Sequence, residues 1–226
     1  MLGLCANLGA RLIQPQQGTT VAAIPEQDPI GRIVVHTRLE DGREICLRAV
    51  RPSDEPRMRS GIELLSQESR YLRFFSRAPA LPDRVVTSLV AVDGHRHLAW
   101  GAILSGEPGL PAIGAVHAVR SDEHTNSGEF AIGILDAYRG LGLAQMLTAV
   151  LLIQCRSEGI TTMEAQVLAE NQAAARLLQS LRAERSRTEL GISDYLLDTD
   201  VALEALSSSV EPAGMQDVFK AFRQYP

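Results

Sequence analysis

The fold of this chain is decided by residues 134–150, which read ILDAYRGLGLAQMLTAV. An apolar run at residues 130–135 predicts a strand that leads into them. Gly140 and Gly142 then predict a tight turn, because glycine adopts backbone conformations that other residues avoid. A strand, a glycine turn and a helix N-terminus in this order bring backbone N–H groups and the positive end of a helix dipole to one point. This is the geometry of an anion-binding site.

The helix after this turn is predicted from apolar residues that recur at steps of three and four. They are Leu143, Met146, Leu147, Val150 and Leu151. The pattern predicts one apolar face, with Gln145 and Thr148 pointing away from the core. Gly159 is expected to end the helix in the C′ position.

Two familiar phosphate-binding loops do not fit this turn. No Lys-Ser or Lys-Thr pair follows the glycines, as a P-loop requires, and the three-glycine dinucleotide fingerprint is absent. The spacing Arg139-x-x-Gly142-x-Ala144 instead resembles the Arg/Gln-x-x-Gly-x-Gly/Ala signature of the GNAT superfamily, the acyl-CoA-dependent N-acyltransferases. The resemblance implies an α/β (α+β) fold. Its mixed, mostly antiparallel twisted sheet is flanked by helices and splays into a V at the CoA-binding strand.

Three further segments resemble the same superfamily, in the expected order along the chain. Residues 47–55, LRAVRPSDE, resemble its first strand and helix start, and residues 171–178, NQAAARLL, resemble its second CoA-contacting segment. Residues 66–76, SQESRYLRFFS, resemble one subgroup in particular, the bacterial protein-lysine acetyltransferases often called Pat. Together the resemblance extends over residues 43–198.

Arg70, Arg73 and Arg77 lie among aromatic residues in and after the last of these segments. One interpretation is an aromatic core patch surrounded by solvated arginines. The other is that an arginine of this region contacts the acceptor or CoA. The sequence does not show which of the three arginines would make this contact.

The resemblance also implies where acetyl-CoA binds. Backbone N–H groups of the strand hold the thioester carbonyl and pair with the pantetheine arm, the glycine turn holds the pyrophosphate, and an Asn opens a helix beside the pantetheine. A side chain at Gly142 is expected to obstruct the pyrophosphate. The implied residues are Ile132, Gly133, Ile134, Arg139, Gly140, Leu141, Gly142, Leu143, Ala144, Asn171 and Ala174.

Glu129 is the candidate catalytic residue. In the protein-lysine acetyltransferases a glutamate in a Glu-Phe-Ala-like context is regarded as the general base, and here Glu129 precedes Phe130 and Ala131. A lysine amine has a pKa of about 10.4 and is protonated near neutral pH, so a base must take its proton. Burial beside apolar neighbours makes a carboxylate a stronger base. The alternative is a strand-edge glutamate that faces solvent.

The segment before Glu129, residues 121–129, reads SDEHTNSGE and is polar and acidic. It is interpreted as a solvated loop. Alternatively, Asp122 and Glu123 join Glu129 in making the mouth of the acceptor site attractive to a lysine ammonium group.

Two positions depart from the family pattern. Many members carry a tyrosine on the second CoA helix that protonates the departing thiolate, and Leu178 occupies that place here. The Gly-Phe pair that usually ends this helix is replaced by Arg182 and Ala183, which leaves the helix end without its glycine. Both departures indicate a divergent member.

The expected function is transfer of an acetyl group from acetyl-CoA to a primary amine by direct attack in a ternary complex, with a protein lysine as the acceptor. A small-molecule amine or amino acid is the alternative acceptor. A different alternative is a divergent, non-catalytic module that senses acyl-CoA. The protein is expected to act as a monomer or a homodimer.

Composition bounds the class of protein. With 226 residues, of which 45% are hydrophobic, the chain can bury a sizeable core. A formal net charge of −5 argues against nucleic acid as the main partner and suits a basic one. Apolar runs fall short of the ~18 residues of a membrane-spanning helix. These features predict a soluble protein without a membrane partner.

The cysteines and histidines predict neither disulfides nor a metal site. Cys5, Cys46 and Cys155 are odd in number and widely spaced, which indicates free thiols in a reducing compartment and therefore a cytoplasmic protein. None lies near the glycine turn in sequence, so a covalent cysteine route is not expected. His95 and His97 lie two apart, but no partner with metal-ligand spacing accompanies them, and no metal is expected.

Three segments are predicted along the chain. Residues 1–30 form a partly disordered leader, residues 31–200 the acetyltransferase domain, and residues 201–226 a C-terminal tail with a short amphipathic helix. The apolar stripe of that helix is expected to dock on the domain's own surface, and a dimer or partner contact is the alternative. The stripe consists of Met215, Val218, Phe219 and Phe222.

Overall fold

Eight strands form one sheet in the computed structural model, which describes residues 30–106, 109, 112–122, 125–209 and 211–223. The leader predicted for residues 1–30 therefore lies almost wholly outside the described residues. The strands are β1 (Val34–Arg38), β2 (Glu44–Ala49), β3 (His97–Leu104), β4 (Gly114–Arg120), β5 (Ser127–Ile134), β6 (Thr162–Leu168), β7 (Glu184–Glu189) and β8 (Ile192–Asp198).

The α-helices of the described residues begin with three between β2 and β3. They are α1 (Glu55–Leu64), α2 (Gln67–Phe74), α3 (Asp83–Val90), α4 (Leu143–Ser157), α5 (Gln172–Ser180), α6 (Thr199–Ser207) and α7 (Met215–Ala221). Two 3-10 turns, Pro52–Asp54 and Asp136–Tyr138, precede α1 and the glycine turn. No helix in the described part of the chain has the length and apolar character needed to cross a bilayer.

The strands are ordered β1-β2-β3-β4-β5-β6-β8-β7. Every neighbouring pair is antiparallel except β5 and β6, which run parallel and pair only from Ser127 to Glu129. Beyond Glu129 these two strands separate, whereas β5 stays paired with β4 as far as Ile134. The predicted mixed, mostly antiparallel sheet with a V at the CoA-binding strand is confirmed.

Side-chain alternation gives each face of the sheet its own core. On β3, Leu98, Trp100 and Ala102 join the cluster built around α4. Ala99, between them, joins a second cluster that contains residues of α1 and α3. Helices therefore cover both faces, and the fold is layered as predicted.

Helix α4 is buried on all sides. Every residue from 146 to 155 is buried, including Thr148 at 0% exposure. The prediction that Thr148 points away from the core was wrong, because α6 and α7 cover the outer side of α4. Thr148 satisfies its hydroxyl by donating to the Ala144 carbonyl at 2.7 Å. Gly159, at φ +73°, ends the helix as predicted.

The C-terminal stripe packs on the domain itself. Helix α7 lies against β1 and α4, and Met215, Val218 and Phe222 are at most 3% exposed. The Phe222 ring meets Trp100 edge-on, with 5.8 Å between centroids. Docking of the stripe on the domain's own surface is confirmed, while the predicted segment boundaries stay a prediction.

A partly buried ion pair joins β2 to the start of α1. Two guanidinium nitrogens of Arg48 donate to the Asp54 carboxylate at 2.6 and 2.7 Å, and the Arg51 N–H donates to it at 2.9 Å. Burial alone would raise the pKa of Asp54, but the bonds from Arg48 and Arg51 hold that pKa below its usual value. Residues 47–55 thus form the predicted strand and helix start.

The end of α5 lacks the usual glycine but keeps the geometry that glycine normally supplies. Arg182 adopts the left-handed conformation, with φ +58°. Its N–H donates to the Gln179 carbonyl at 3.0 Å, and the Ala183 N–H donates to the Leu178 carbonyl at 2.9 Å. This pattern closes helices that end on a left-handed residue, and a non-glycine residue there is strained.

Two buried histidines form a neutral pair between β3 and β4. His97 Nδ1 lies 3.1 Å from the Ala91 carbonyl oxygen, and His97 Nε2 lies 3.1 Å from His117 Nδ1. Because a carbonyl only accepts, hydrogen bonding assigns the proton of His97 to Nδ1, and His117 Nδ1 donates to the bare His97 Nε2. Burial lowers the pKa of His97 to about 4 and places the pKa of His117 well below its usual value.

Replacing Arg182 with glycine is expected to stabilise the protein. Arg182→Gly relieves the left-handed strain, and we expect the free energy of unfolding to rise by roughly 0.5–1 kcal/mol after the greater freedom of glycine in the unfolded chain is subtracted. The exposed Arg182–Glu204 ion pair, 3.7 Å apart, contributes little. Urea unfolding measures the change. Arg182→Ala is the control, and an equal gain in that variant would show that backbone strain is not the cause.

The histidine pair predicts a loss of stability in mild acid. Unfolded histidines bind protons below pH of about 6.5, whereas folded His97 stays neutral down to about pH 4. Stability is therefore full above pH 6.5 and falls as the pH is lowered, by up to about 1.4 kcal/mol per pH unit for each histidine. Unfolding free energies between pH 7.5 and 5 measure this slope. His117→Gln should make the slope shallower, because it removes one of the two contributions, whereas His36→Gln, at an exposed position, should leave it unchanged; a flat wild-type profile would contradict the neutral pair.

Candidate active site

A cleft of about 510 Å³ lies where β5, the glycine turn, α2 and α5 meet. All of the predicted cofactor-binding residues except Leu141 line it. They are Ile132, Gly133, Ile134, Arg139, Gly140, Gly142, Leu143, Ala144, Asn171 and Ala174. Leu141 instead packs against the core, and its carbonyl accepts the Glu40 N–H at 3.3 Å.

The glycine turn has the predicted form. Gly140 and Gly142 have φ values of +70° and +80°, and α4 begins immediately after them. The N-terminus of α4 therefore points at the cleft, where its N–H groups and dipole favour an anion.

Position 142 is restricted by a protein contact that the sequence did not predict. A Cβ atom there would overlap the Cβ of Pro212 and lie 2.7 Å from its Cγ. Pro212 does not line the cleft, whereas Gly142 does. A side chain at Gly142 would thus meet the C-terminal segment, and the expectation that it would obstruct a pyrophosphate stays a prediction.

The exposed edge of β5 presents alternate backbone groups to the gap beside β6. The Ser121 N–H donates to the Ser127 carbonyl on the β4 side, and the Thr162 N–H donates to the Asn126 carbonyl on the β6 side. Since the β4–β5 register is continuous, odd-numbered residues of β5 face β4 and even-numbered ones face the gap. Ile132 and Ile134 therefore direct N–H and C=O groups into the gap, and Gly133 directs its groups toward β4.

Arg73 is the arginine that the sequence could not single out. It lines the cleft, and its Cγ and Cδ would lie 3.7 Å from a Cβ on Gly133. Arg70 donates to the Pro79 carbonyl, and Arg77 stacks over the Tyr71 ring at 4.0 Å. Only the three-dimensional placement of α2 over β5 distinguishes Arg73 from its neighbours.

Arg139 is held by protein groups at the rim of the cleft. It donates to Ser69 Oγ at 2.9 Å and lies 3.2 Å from Asp136. Ser69 Oγ in turn donates to Asp136 at 2.5 Å, and the Ser66 N–H donates to the same carboxylate at 3.1 Å. Burial opposes ionisation of Asp136, but these bonds and Arg139 lower its pKa. The network fastens the start of α2 to the glycine turn.

Helix α5 forms the opposite wall of the cleft. Asn171 caps it by accepting the Ala174 N–H at 3.1 Å, which agrees with the predicted role of an Asn that opens this helix. Arg176 and Ser180 also line the cleft and were not predicted. Their spacing from Ala173, at three and seven residues, could have revealed them, because such residues share a helix face.

The cleft carries mostly positive charge. Arg73, Arg139 and Arg176 line it together with one carboxylate, Glu40. A ligand with several phosphate charges fits this balance.

Glu129 lies outside the cleft, in a neighbouring cavity of about 270 Å³. Its residue is 7% exposed, so it is buried and does not face solvent at the strand edge. Glu164 and Asp194 line the same cavity. Of the acidic loop, Asp122 does not line it, and Glu123 lies outside the described residues.

A small cavity of about 50 Å³ lies between the two larger ones, along the parted strands. It shares Phe130 and Ala131 with the Glu129 cavity and Ile132 and Asn171 with the cleft. Leu178, in the place of the usual tyrosine, lines this small cavity and is 2% exposed.

A further cavity of about 550 Å³ lies near α7 and is lined by Arg38, Glu44 and Asp217 among others. None of the predicted site residues lines it, so we do not assign the reaction to it.

The cysteines and possible metal ligands lie away from the cleft. Cys46 and Cys155 are buried free thiols, and burial raises the pKa of Cys155 to about 12. Cys5 lies outside the described residues. Within the described ranges no group of three or more His, Cys, Asp or Glu residues could hold a metal ion. His95 pairs with Glu158 at 2.7 Å.

A cationic cleft beside a parted strand pair, with an acidic cavity next to it, fits a GNAT-type acyltransferase. A family model described as an acetyltransferase (GNAT) domain matches residues 44–184. The chain belongs to this family.

Individual relatives agree with this assignment. Acetyltransferase Pat of Mycolicibacterium smegmatis is 28% identical over 159 residues, which are 70% of this chain and 46% of Pat. This chain thus matches less than half of that relative's length.

Solved structures share the fold. The GNAT domain of PAT from S. lividans has a TM-score of 0.67 at 25% identity and covers 73% of this chain and 96% of that one. A putative acetyltransferase from Salmonella typhimurium, solved with acetyl-CoA, has a TM-score of 0.55 at 16% identity, covering 69% and 94%. The second likeness concerns the fold alone.

The two turn glycines predict unequal effects of alanine. Gly140→Ala meets no atom within 4 Å and adds only left-handed strain, about 1–2 kcal/mol. Gly142→Ala adds the same strain and also collides with Pro212, which costs roughly 1–3 kcal/mol more. Urea unfolding of the two variants measures the difference. Equal losses of stability in the two variants would show that Pro212 moves aside at no energetic cost.

Proposed function

We propose that the protein transfers an acetyl group from acetyl-CoA to a primary amine, and that the acceptor is a protein lysine. The parting of β5 from β6 carries this proposal. It leaves a cationic cleft at one end of a gap and the acidic Glu129 cavity at the other. Membership of the acetyltransferase family supports acetyl-CoA as the donor.

The cleft offers three regions to acetyl-CoA. The N–H groups of residues 139–144 and the N-terminus of α4 would hold the pyrophosphate. The gap-facing backbone of Ile132 and Ile134 would pair with the amides of the pantetheine arm, beside Asn171 and Ala174. Arg176 would add positive charge near a phosphate.

Glu129 would act as the general base. It accepts a proton from the lysine ammonium group, and the neutral nitrogen attacks the thioester carbonyl carbon. A C–N bond forms, and the C–S bond breaks as the tetrahedral intermediate collapses. Gap-facing backbone N–H groups such as that of Ile132 would hold the carbonyl oxygen while it carries negative charge.

The leaving thiolate needs a proton that Leu178 cannot supply. Water can provide it, while the nitrogen of the new amide loses its second proton. One proton thus reaches the sulfur and one is released for each amide formed. Direct attack in a ternary complex fits this arrangement, since Cys46 and Cys155 do not line the cleft or the Glu129 cavity.

Two features favour a protein lysine as the acceptor. The Glu129 cavity carries Glu164 and Asp194, which attract an ammonium group. Ser186 of β7 lines it as well, and β7 is exposed along its whole length. A lysine on another protein can therefore approach from that side. Cytoplasmic location and a monomeric or dimeric state stay predictions.

Replacing Glu129 tests the mechanism. We expect Glu129→Gln to lower kcat for a lysine peptide by about 10²-fold or more, because the amine would keep its proton. Glu164→Gln is the matched control, since it removes an exposed carboxylate from the same cavity, and we expect it to change mainly the KM for the peptide. Acetyl-CoA consumption, followed by mass spectrometry of the peptide, measures both.

Three outcomes would overturn parts of the proposal. Equal turnover in wild type and Glu129→Gln would remove Glu129 as the base. Turnover with small amines but not with lysine peptides would show that the acceptor is a small amine and not a protein lysine. Tight acetyl-CoA binding without turnover on any amine would favour the acyl-CoA sensor.

A further inference from the structure

The C-terminal strap, residues 211–223, is wedged between β1 and α4. A Cβ on Gly214 would lie 2.5 Å from Thr37 Oγ1 and 2.7 Å from Met146 Sδ, so the strap backbone touches both elements. The Thr37 hydroxyl lies 2.8 Å from Asp217 Oδ2 and 3.2 Å from the Gly214 carbonyl, which both accept from it. These contacts fix the strap directly beside the glycine turn.

Pro212 is the part of the strap that reaches the turn. It is buried, and it occupies the space where a side chain at Gly142 would stand. Gly142 lines the cleft while Pro212 does not. The proline ring therefore packs against the turn at Gly142 and lies outside the set of residues that line the cleft.

Support at this point matters because Gly142 is the N-cap of α4. Its left-handed backbone sets the direction of the first N–H groups of α4, which are those that bind an anion. Glycine imposes no conformation of its own, so the turn keeps its shape only if its surroundings hold it. Gly140, the other turn glycine, has no atom within 4 Å of its Cβ position. Pro212 is thus a contact at the Gly142 position itself, where the Arg139 network and the bond from the Glu40 N–H to the Leu141 carbonyl hold neighbouring parts of the turn.

We infer that Pro212 is a positioning residue for cofactor binding: the C-terminal strap holds the glycine turn in the shape that receives the pyrophosphate of acetyl-CoA. The inference rests on the proposed function for the identity of the ligand. It adds that cofactor affinity depends on a segment that does not touch the cofactor. Acceptor affinity does not depend on it, because the Glu129 cavity lies at the far end of the gap.

The test compares Pro212→Gly with Ala213→Gly in the full chain. Both add backbone freedom to the strap, but only the first removes the ring that packs against Gly142, since Ala213 is exposed. We expect Pro212→Gly to speed amide hydrogen exchange at residues 139–144 and to weaken acetyl-CoA binding by roughly tenfold in calorimetry. The KM for the lysine peptide should stay unchanged. Ala213→Gly should match wild type in all three measurements.

A reciprocal variant separates positioning from general stability. Gly142→Ala collides with Pro212, and the double variant Gly142→Ala/Pro212→Gly removes the collision and should unfold at higher urea than Gly142→Ala alone. If Pro212→Gly proves too unstable to assay, Pro212→Ala loosens the same contact more mildly.

The possible results distinguish the positioning role of Pro212 from the proposed function. Faster exchange at the turn with weaker acetyl-CoA binding and an unchanged peptide KM supports positioning. Unchanged exchange, or unchanged cofactor affinity, overturns it, and so does an equal loss of peptide affinity. Wild type that binds no acetyl-CoA overturns the proposed function itself, and the positioning role for that cofactor falls with it.

Discussion

The candidate active site depends on the fact that the pairing of β5 with β6 stops after three residues of β5. A parallel pair that stops at Glu129 leaves the following backbone of β5 bonded to β4 on one side and facing a gap on the other. Backbone N–H and C=O groups need hydrogen-bond partners, so the gap-facing groups of β5 are left for water or a ligand to satisfy. The cleft and the acidic cavity both arise from this parting, and so does the backbone edge of Ile132 and Ile134 that lies between them.

The parting also separates two opposite charges over a short distance. Arg73, Arg139 and Arg176 lie on the cleft side, and Glu129, Glu164 and Asp194 lie on the other. In the proposed reaction, the polyanionic donor would be attracted to the cleft and the cationic acceptor to the acidic cavity, so the two substrates would enter from different sides. The net charge of −5 conceals this division, because it sums over both sides.

The sequence predicts well what is local and poorly what is distant. Strand alternation, helical spacing and the Arg139–Ala144 spacing identify the sheet, α4 and the turn, because each signal lies within a few residues. Three other features depend on contacts between segments that lie far apart in the sequence. These are the burial of Thr148, the packing of Pro212 against Gly142, and the position of Arg73 in the cleft. Periodicity reports which side chains share a face, but it does not report what later packs against that face. Glu129 was identified as a candidate through its resemblance to the family pattern. Its position in a cavity separate from the cleft became visible only once the pairing of the strands was known.

The strap affects the order in which parts of the protein fold during synthesis. The bond between Thr37 and Gly214 spans 177 positions, so it closes one of the longest loops in the fold. Contacts of this range form late, and synthesis delivers the N-terminal partner long before the other. A nascent chain that already holds the glycine turn does not yet hold the proline that packs against it. During translation the mixed sheet can therefore form before the strap packs against the glycine turn.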